Sequence, residues 1–307
     1  MSTPVEEDLE SLSPEVKNYR FGRGGWPAFH NYGMPIQELL KAAEKWAEAF
    51  EGIEKPWLVW NAHPEWCIIQ QNLVESVGWT PIVGFDPRLG PPEKKSPNAI
   101  IYNFNSDLDL LYMSPMFVIE FLFCYADKMA MFHSDFLLAP EDLAVYAKQF
   151  EQLKDGETIA TSFWRLNRFW RKPDRHWELL ACNTRAASKS QFDQAADWWC
   201  NIHDHINCPD EAGYELRKTK VGWDHTSGIL FWEKYCGGTV HKIPLSKIEH
   251  GHFSPSSHPL RFNRTNHEKS RRVRDLKSQL DKSINIKEAC AYVGLDYDHF
   301  SKGETVS

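Results

Sequence analysis

"MAMFHSDFLL", Met129 to Leu138, is the stretch on which the reading of the fold turns. It is almost wholly apolar in a chain that is hydrophilic on average, and it reads as a buried strand. His133, Ser134 and Asp135 interrupt it near its end. A lone buried carboxylate is costly, so Asp135 calls for a donor, a cation or a metal as partner. One reading has it cap a helix or pair with an arginine. The other has it hold a divalent cation, which takes oxygen ligands and binds through one or two carboxylates plus phosphate oxygens.

The flanks of this strand repeat a pattern. Before it, Ser114 and Pro115 open "MFVIEFLFCYA", a helix apolar nearly all round and therefore buried. After it, Pro140 opens the helix "EDLAVYAKQFEQL", and Asp155-Gly156 turns the chain into the strand "TIATSF". Further upstream, "IQELLKAAEKWAEAF" places Ile36, Leu39, Ala43, Trp46 and Phe50 on one helical face. The strand "PWLVWNA", the helix "PEWCIIQQNLVESVG" with Pro64 in its first turn and Gly78 as its stop, and the strand "TPIVGFD" follow. A loop containing Pro91, Pro92 and Pro97 leads to the strand "AIIYNFN". Alternating strands and helices predict an α/β domain with a mainly parallel sheet and helices on both faces. Ligands of such sheets sit beyond the carboxyl ends of the strands, where Asn61, Asp86 and Asp135 fall, with His63 just after the first.

The second half reads as a strand and turn over "HWELLACNTRAAS", then a helix over "QFDQAADWWCNIHDH" opened by Ser190 with Asp193 as a capping pair. "ILFWEKYCGGTVHKIPL" reads as two strands joined at Gly237-Gly238. Residues 267–282 form a basic helix. The division expected is an N-terminal arm and Gly-rich loop over 1–35, a single domain over 36–260, and a basic helical tail over 261–307.

Composition bounds the function. The 307 residues suffice for a sizeable core, and a net charge of −7 argues against a general nucleic-acid binder. The basic helix is the one place left for such a contact, and a charge run of this kind is more often a solvated face. Thirteen Trp, eighteen Phe and ten Tyr supply either a ring-rich core or the lining of a site for flat or sugar-like ligands. Seven Cys without a paired spacing, an acidic polar start and no apolar run of membrane length predict a cytoplasmic protein with reduced thiols and no membrane span.

Further residues have both a plain and a chemical reading. Arg88, in "FDPR", either sits exposed on an Asp-Pro turn or meets phosphate bidentately. Asn61 and His63 either belong to a helix-entry loop or face a ligand. In "EHGHF" an extended backbone would put His250 and His252 on one face, where either imidazole would reach a metal or a pyrophosphate. On the helix over 190–205 the phase puts Trp199 into the apolar stripe and turns Trp198 away from it, free to stack on an acceptor. If a group is transferred with inversion, a base must take the acceptor proton; Asp197 beside Trp198 is then the first candidate and Glu178 the second.

Order and texture together resemble the nucleotide-diphospho-sugar glycosyltransferases of the GT-A fold. In that family an apolar strand ends in Asp-any-Asp, whose carboxylates bind a divalent metal and the sugar nucleotide; here the triplet is His133-Ser134-Asp135. The segments "ELLACNTRAASKSQFDQAADWWCNIHDH" and "GGTVHKIPLSKIEHGHFS" resemble the family's acceptor half and its closing hairpin with a His-bearing loop. The resemblance implies a Rossmann-like GT-A-type mixed sheet, with a donor half over about 56–163 and an acceptor half over about 164–260. It implies sugar transfer from a nucleotide-diphosphate sugar to an unknown acceptor. Asn61, His63, Asp86, Arg88, Ser134 and Asp135 would line the donor. Asp135, His133 and His250 or His252 would hold Mn²⁺ or Mg²⁺. His133 in the first Asp position leaves one carboxylate fewer and suits Zn²⁺ or Fe²⁺ better than Mn²⁺. A metal-dependent hydrolase or nucleotide-processing enzyme, and a non-catalytic sugar-nucleotide-binding module, fit the same residues.

Overall fold

The computed structural model describes residues 36–85, 89–108, 115–163, 166–167, 170–171, 175–194, 196, 198, 226–253 and 285–306. Its first half runs α1 (Ile36–Ala49), β1 (Pro56–Asn61), α2 (Pro64–Ser76), β2 (Thr80–Phe85), β3 (Lys94–Lys95), β4 (Ile100–Ile101), α3 (Pro115–Glu120), α4 (Leu122–Tyr125) and β5 (Lys128–Phe132). There follow α5 (Pro140–Gln152), β6 (Glu157–Phe163), the short pair β7 (Leu166–Asn167) and β8 (Trp170–Arg171), and β9 (Arg175–Thr184). The chain continues with α6 (Arg185–Asp193), α7 (Ser227–Tyr235), β10 (Thr239–Pro244), α8 (Leu245–Ile248), α9 (Ile286–Val293), α10 (Tyr297–Phe300) and β11 (Glu304–Thr305).

Seven strands form one sheet in the order β10-β6-β9-β5-β1-β2-β4. All of its pairings are parallel except those of β9, which is antiparallel to β5 and to β6. The expected α/β sheet is therefore present, mixed and mainly parallel. Its strands carry apolar residues on both faces because both faces are covered. Trp57 and Val59 of β1 join a core cluster with α2 and α5, whereas Leu58 and Trp60 join one with α1, α3 and α4. The aromatic excess goes largely into these layers: Trp46, Trp57, Trp66 and Trp198 are among the largest fully buried side chains.

Three expectations are corrected. The run "ILFWEKY" is helix α7, and β10 pairs parallel with β6 from Thr239↔Glu157 to Pro244↔Ser162. A short apolar run fits a buried helix as well as a strand, and a parallel neighbour needs a crossover where a hairpin would give an antiparallel one. The helix expected to open at Ser190 is instead α6, which starts at Arg185 and ends at Asp193; Trp199 and the rest of the span to 205 lie outside the described residues. Ser190 is no cap: its hydroxyl accepts from Trp232 Nε1 at 3.0 Å, and Asp193 pairs with Lys189 within the helix. The third concerns 261–307. The basic stretch 267–282 lies outside the described residues, but 285–306 is no separate tail. Ile286, Ala289, Cys290, Val293, Leu295 and Phe300 are buried in the α2–α5 core cluster. Each large apolar side chain so placed contributes about 1.5–3 kcal/mol. Asn72 of α2 donates to the carbonyls of Phe300 and Lys302, both at 2.7 Å, and β11 pairs antiparallel with β3.

Candidate metal centre

At the carboxyl end of β5 the chain makes a hydrogen-bonded turn, Phe136 N–H to His133 O at 3.1 Å, with Ser134 and Asp135 as its central residues. The turn is held from both sides. The His133 N–H donates to Leu179 O of β9 at 3.1 Å. Gln70, fully buried on α2, donates from Nε2 to the carbonyls of His133 and Phe136 at 2.8 and 2.9 Å.

The loop after β10 comes back onto this turn. Residues Glu249–Gly251 form a single 3-10 turn, after which His252 bridges antiparallel with Phe136. Leu137 N–H donates to Gly251 O, and Phe253 N–H to Asp135 O, both at 2.9 Å. The approach requires glycine at 251: a Cβ there would lie 2.0 Å from Leu137 O. The 3-10 turn also separates the two imidazoles expected on one face. His252 joins His133 and Asp135, and His250 is not in that cluster.

The three side chains converge. His133 Nδ1 lies 3.7 Å from Asp135 Oδ1, and His252 Nε2 lies 3.5 Å from Asp135 Oδ2. One ligand atom from each can be chosen so that all fall within 4.8 Å of one another. Tetrahedral ligands at about 2.0–2.1 Å from an ion stand about 3.3 Å apart, so small adjustments would close the set on one cation. Side-chain exposures of 29% for Asp135 and 21% for His133 leave an open side, whereas Glu178 on β9 has none. Glu178 Oε1 lies 3.0 Å from His133 Nε2. Trp177 meets both rings edge to face, with centroids 5.3 Å from His133 and 4.8 Å from His252.

Electrostatics favours positive charge here. Burial alone would lower the His133 pKa, but hydrogen bonds and charge from Asp135 and Glu178 outweigh it and push it up to about 10. Burial would raise Asp135, yet the His252 charge and the hydrogen bonds with both imidazoles hold its carboxyl well below the usual carboxylate range. A proton or a metal cation satisfies the same requirement.

No protein-family model, curated protein or solved structure matches this chain.

Among the described residues, the other expected site residues are not members of the His133–Asp135–His252 cluster. Asn61, buried at the end of β1, donates to Gly90 O at 3.1 Å, while its buried Oδ1 has no hydrogen-bond partner among the described residues. His63 precedes α2 as its N-cap residue with an extended backbone. Asp86, Arg88 and Asp197 lie outside the described residues. Trp198 is corrected: it is buried at 1% exposure and donates from Nε1 to Gln191 Oε1 at 2.9 Å. With α6 ended at Asp193, the helical phase that turned this ring outward does not exist. Glu178, the second candidate base, is wholly buried on β9 against His133. Sequence reasoning overlooked Gln70, Trp177 and Gly251. Gln70 left a trace, as the first of three polar residues that break the apolar run Trp66–Ile69.

Proposed function

We propose that this protein is a metal-dependent glycosyltransferase of GT-A-like architecture, acting in the cytoplasm on a nucleotide-diphosphate sugar. The observation that carries the reading is the meeting of His252, from the loop after β10, with Asp135 at the end of an apolar central strand. A carboxylate-bearing strand end joined by a late histidine is the pairing the resemblance implies. Support also comes from the place of the cluster, at the carboxyl end of β5 beside parallel β1, and from the buried Oδ1 of Asn61, which has no hydrogen-bond partner among the described residues.

His133, Asp135 and His252 would hold the cation. When bound, it supplies charge neutralisation for the departing diphosphate. The chain's own contribution is placement: Gln70 and the Leu137–Gly251 contact fix the two loops, and Trp177 walls both imidazoles. Calorimetry with a panel of nucleotide sugars, with and without Mn²⁺ or Zn²⁺, tests the reading. A donor should bind in a cation-dependent manner, and Asp135→Asn should lose that dependence with its fold intact. Failure of every donor to bind the parent protein sinks the proposal.

A second reading follows from the donor set. Two imidazoles and one carboxylate also make catalytic zinc sites that activate water. Product analysis separates the two: free sugar or phosphate released without an acceptor favours hydrolysis.

A further inference from the structure

Glu178 meets the side chain of a cluster residue, His133, while being itself wholly enclosed. Its aim has a local cause. Between Ile159↔Cys182 and Thr161↔Trp177 the β6–β9 ladder shifts register, so β9 bulges across the residues that include Glu178. The Thr161 hydroxyl serves the displaced backbone, donating to Leu180 O at 2.9 Å and accepting from Leu180 N–H at 3.1 Å. A bulge beside a site re-aims a side chain. Here the carboxylate reaches His133 Nε2 while Nδ1 of the same ring faces Asp135.

The two nitrogens of an imidazole take different tasks, and the hydrogen bond of one decides which is offered to a metal. We infer that Glu178 is a positioning residue of the metal centre: by accepting Nε2–H of His133 it presents the Nδ1 lone pair to the cation held by Asp135 and His252, and so turns the site from Mg²⁺ toward borderline cations such as Zn²⁺, Fe²⁺ or Co²⁺. The inference rests on the metal reading above and adds which atom ligates, what orients it and which cations are preferred. Imidazole nitrogens suit such ions, whereas Mg²⁺ asks for oxygen. Loss of an outer-shell partner of this kind typically costs 10–100-fold in metal affinity.

The full chain is titrated with Co²⁺, whose visible absorption reports its ligands, and then challenged with excess Mg²⁺. The parent should bind Co²⁺ and keep it against Mg²⁺. Glu178→Gln, nearly isosteric, should bind Co²⁺ about 10–100-fold more weakly with an altered spectrum. In a His133→Ala background the same change should have no further effect. In the parent loaded with Zn²⁺, imidazole ¹⁵N NMR should show His133 protonated at Nε2 and metal-bound at Nδ1, which needs no Glu178 variant to fold. Co²⁺ binding lost in Asp135→Asn but unchanged in Glu178→Gln overturns the role of Glu178 and leaves the metal site standing. Zn²⁺ on Nε2, or a preference for Mg²⁺, overturns it as well. A parent that takes up no cation fails the metal reading itself.

Discussion

Two histidine–carboxylate pairs hang from the same strand, and their surroundings set them apart. His176 of β9 lies 2.7 Å from Glu233 of α7, and Lys242 of β10 lies 2.9 Å from the other oxygen of that carboxylate. Two residues on, Glu178 holds His133, and beyond His133 stand Asp135 and His252. The first group contains a lysine, a cation that is always present at neutral pH. In the second, Asp135 has two imidazoles for partners and no lysine or arginine among the described residues. Imidazole charge is exchangeable: the proton leaves when a metal arrives. A histidine beside a carboxylate is therefore weak evidence for a site, and what completes the charge is stronger evidence.

The comparison is broken most directly at Asp135. Asp135→Asn should lower cation affinity at least 100-fold, about 2.7 kcal/mol, while Glu233→Gln leaves it unchanged in the same calorimetric titration. Equal losses in both variants would erase the distinction between the two clusters. Gly251→Ala comes next. Its Cβ collides with the Leu137 carbonyl, so the His252 loop must shift, at about 1–3 kcal/mol in stability and roughly tenfold in cation affinity. Melting curves and titrations of this variant that superpose on the parent's would show that the close approach does not position His252.

The lysine-containing cluster answers to acid instead. Burial would raise the Glu233 pKa, but hydrogen bonds and charge from Lys242 and His176 hold it below its ordinary value of 4.5. A depressed folded pKa means stability that is present above pH 4.5 and is lost as the pH falls through the lower, folded value. The stability difference between the parent and Glu233→Gln, about 1 kcal/mol for so partly exposed a pair, should shrink over that window in urea titrations at stepped pH. A difference that stays flat with pH would mean that the carboxylate charge contributes nothing there. The smallest effect on binding is expected at Trp198→Phe, which forfeits one hydrogen bond to Gln191 and leaves a small cavity, together about 1–3 kcal/mol of stability. Cation and donor binding should be untouched. Weakened binding in a protein of unchanged stability would return this residue to the site.

The sheet was legible because its strands are short apolar runs set between Pro and Gly punctuation. Pro64 stands in the first turn of α2, and Gly78 follows that helix at φ 77°. The position of Asp135 at a strand end was legible for the same reason. Which histidine meets it was not, since one 3-10 turn at Glu249–Gly251 separates His252 from His250, and such a turn has no periodicity to read. The role of Glu178 was hidden too. It depends on a register shift in β9, and a bulge leaves no mark in the order of residue types. Around Trp198 a capping pattern at Ser190 outweighed the true start at Arg185, because the partner that claims the Ser190 hydroxyl, Trp232, lies 42 residues away.

The docking of 285–306 has a consequence for the order in which the molecule is built. Asn72 finds its carbonyl partners 228 and 230 residues further along the chain. Phe253, whose N–H holds the Asp135 carbonyl, has the ring of Tyr292 on α9 at 6.2 Å. Contacts so distant in sequence close late, because the loop entropy is spent before any contact rewards it. A nascent chain shorter than about 285 residues has the strands of its sheet but lacks the apolar residues from Ile286 to Phe300 that complete the core on the α2 side, a state prone to aggregation. The loop that carries His252 gains the Tyr292 contact when that gap shuts, so the capacity to bind a cation should emerge as one of the last events of folding.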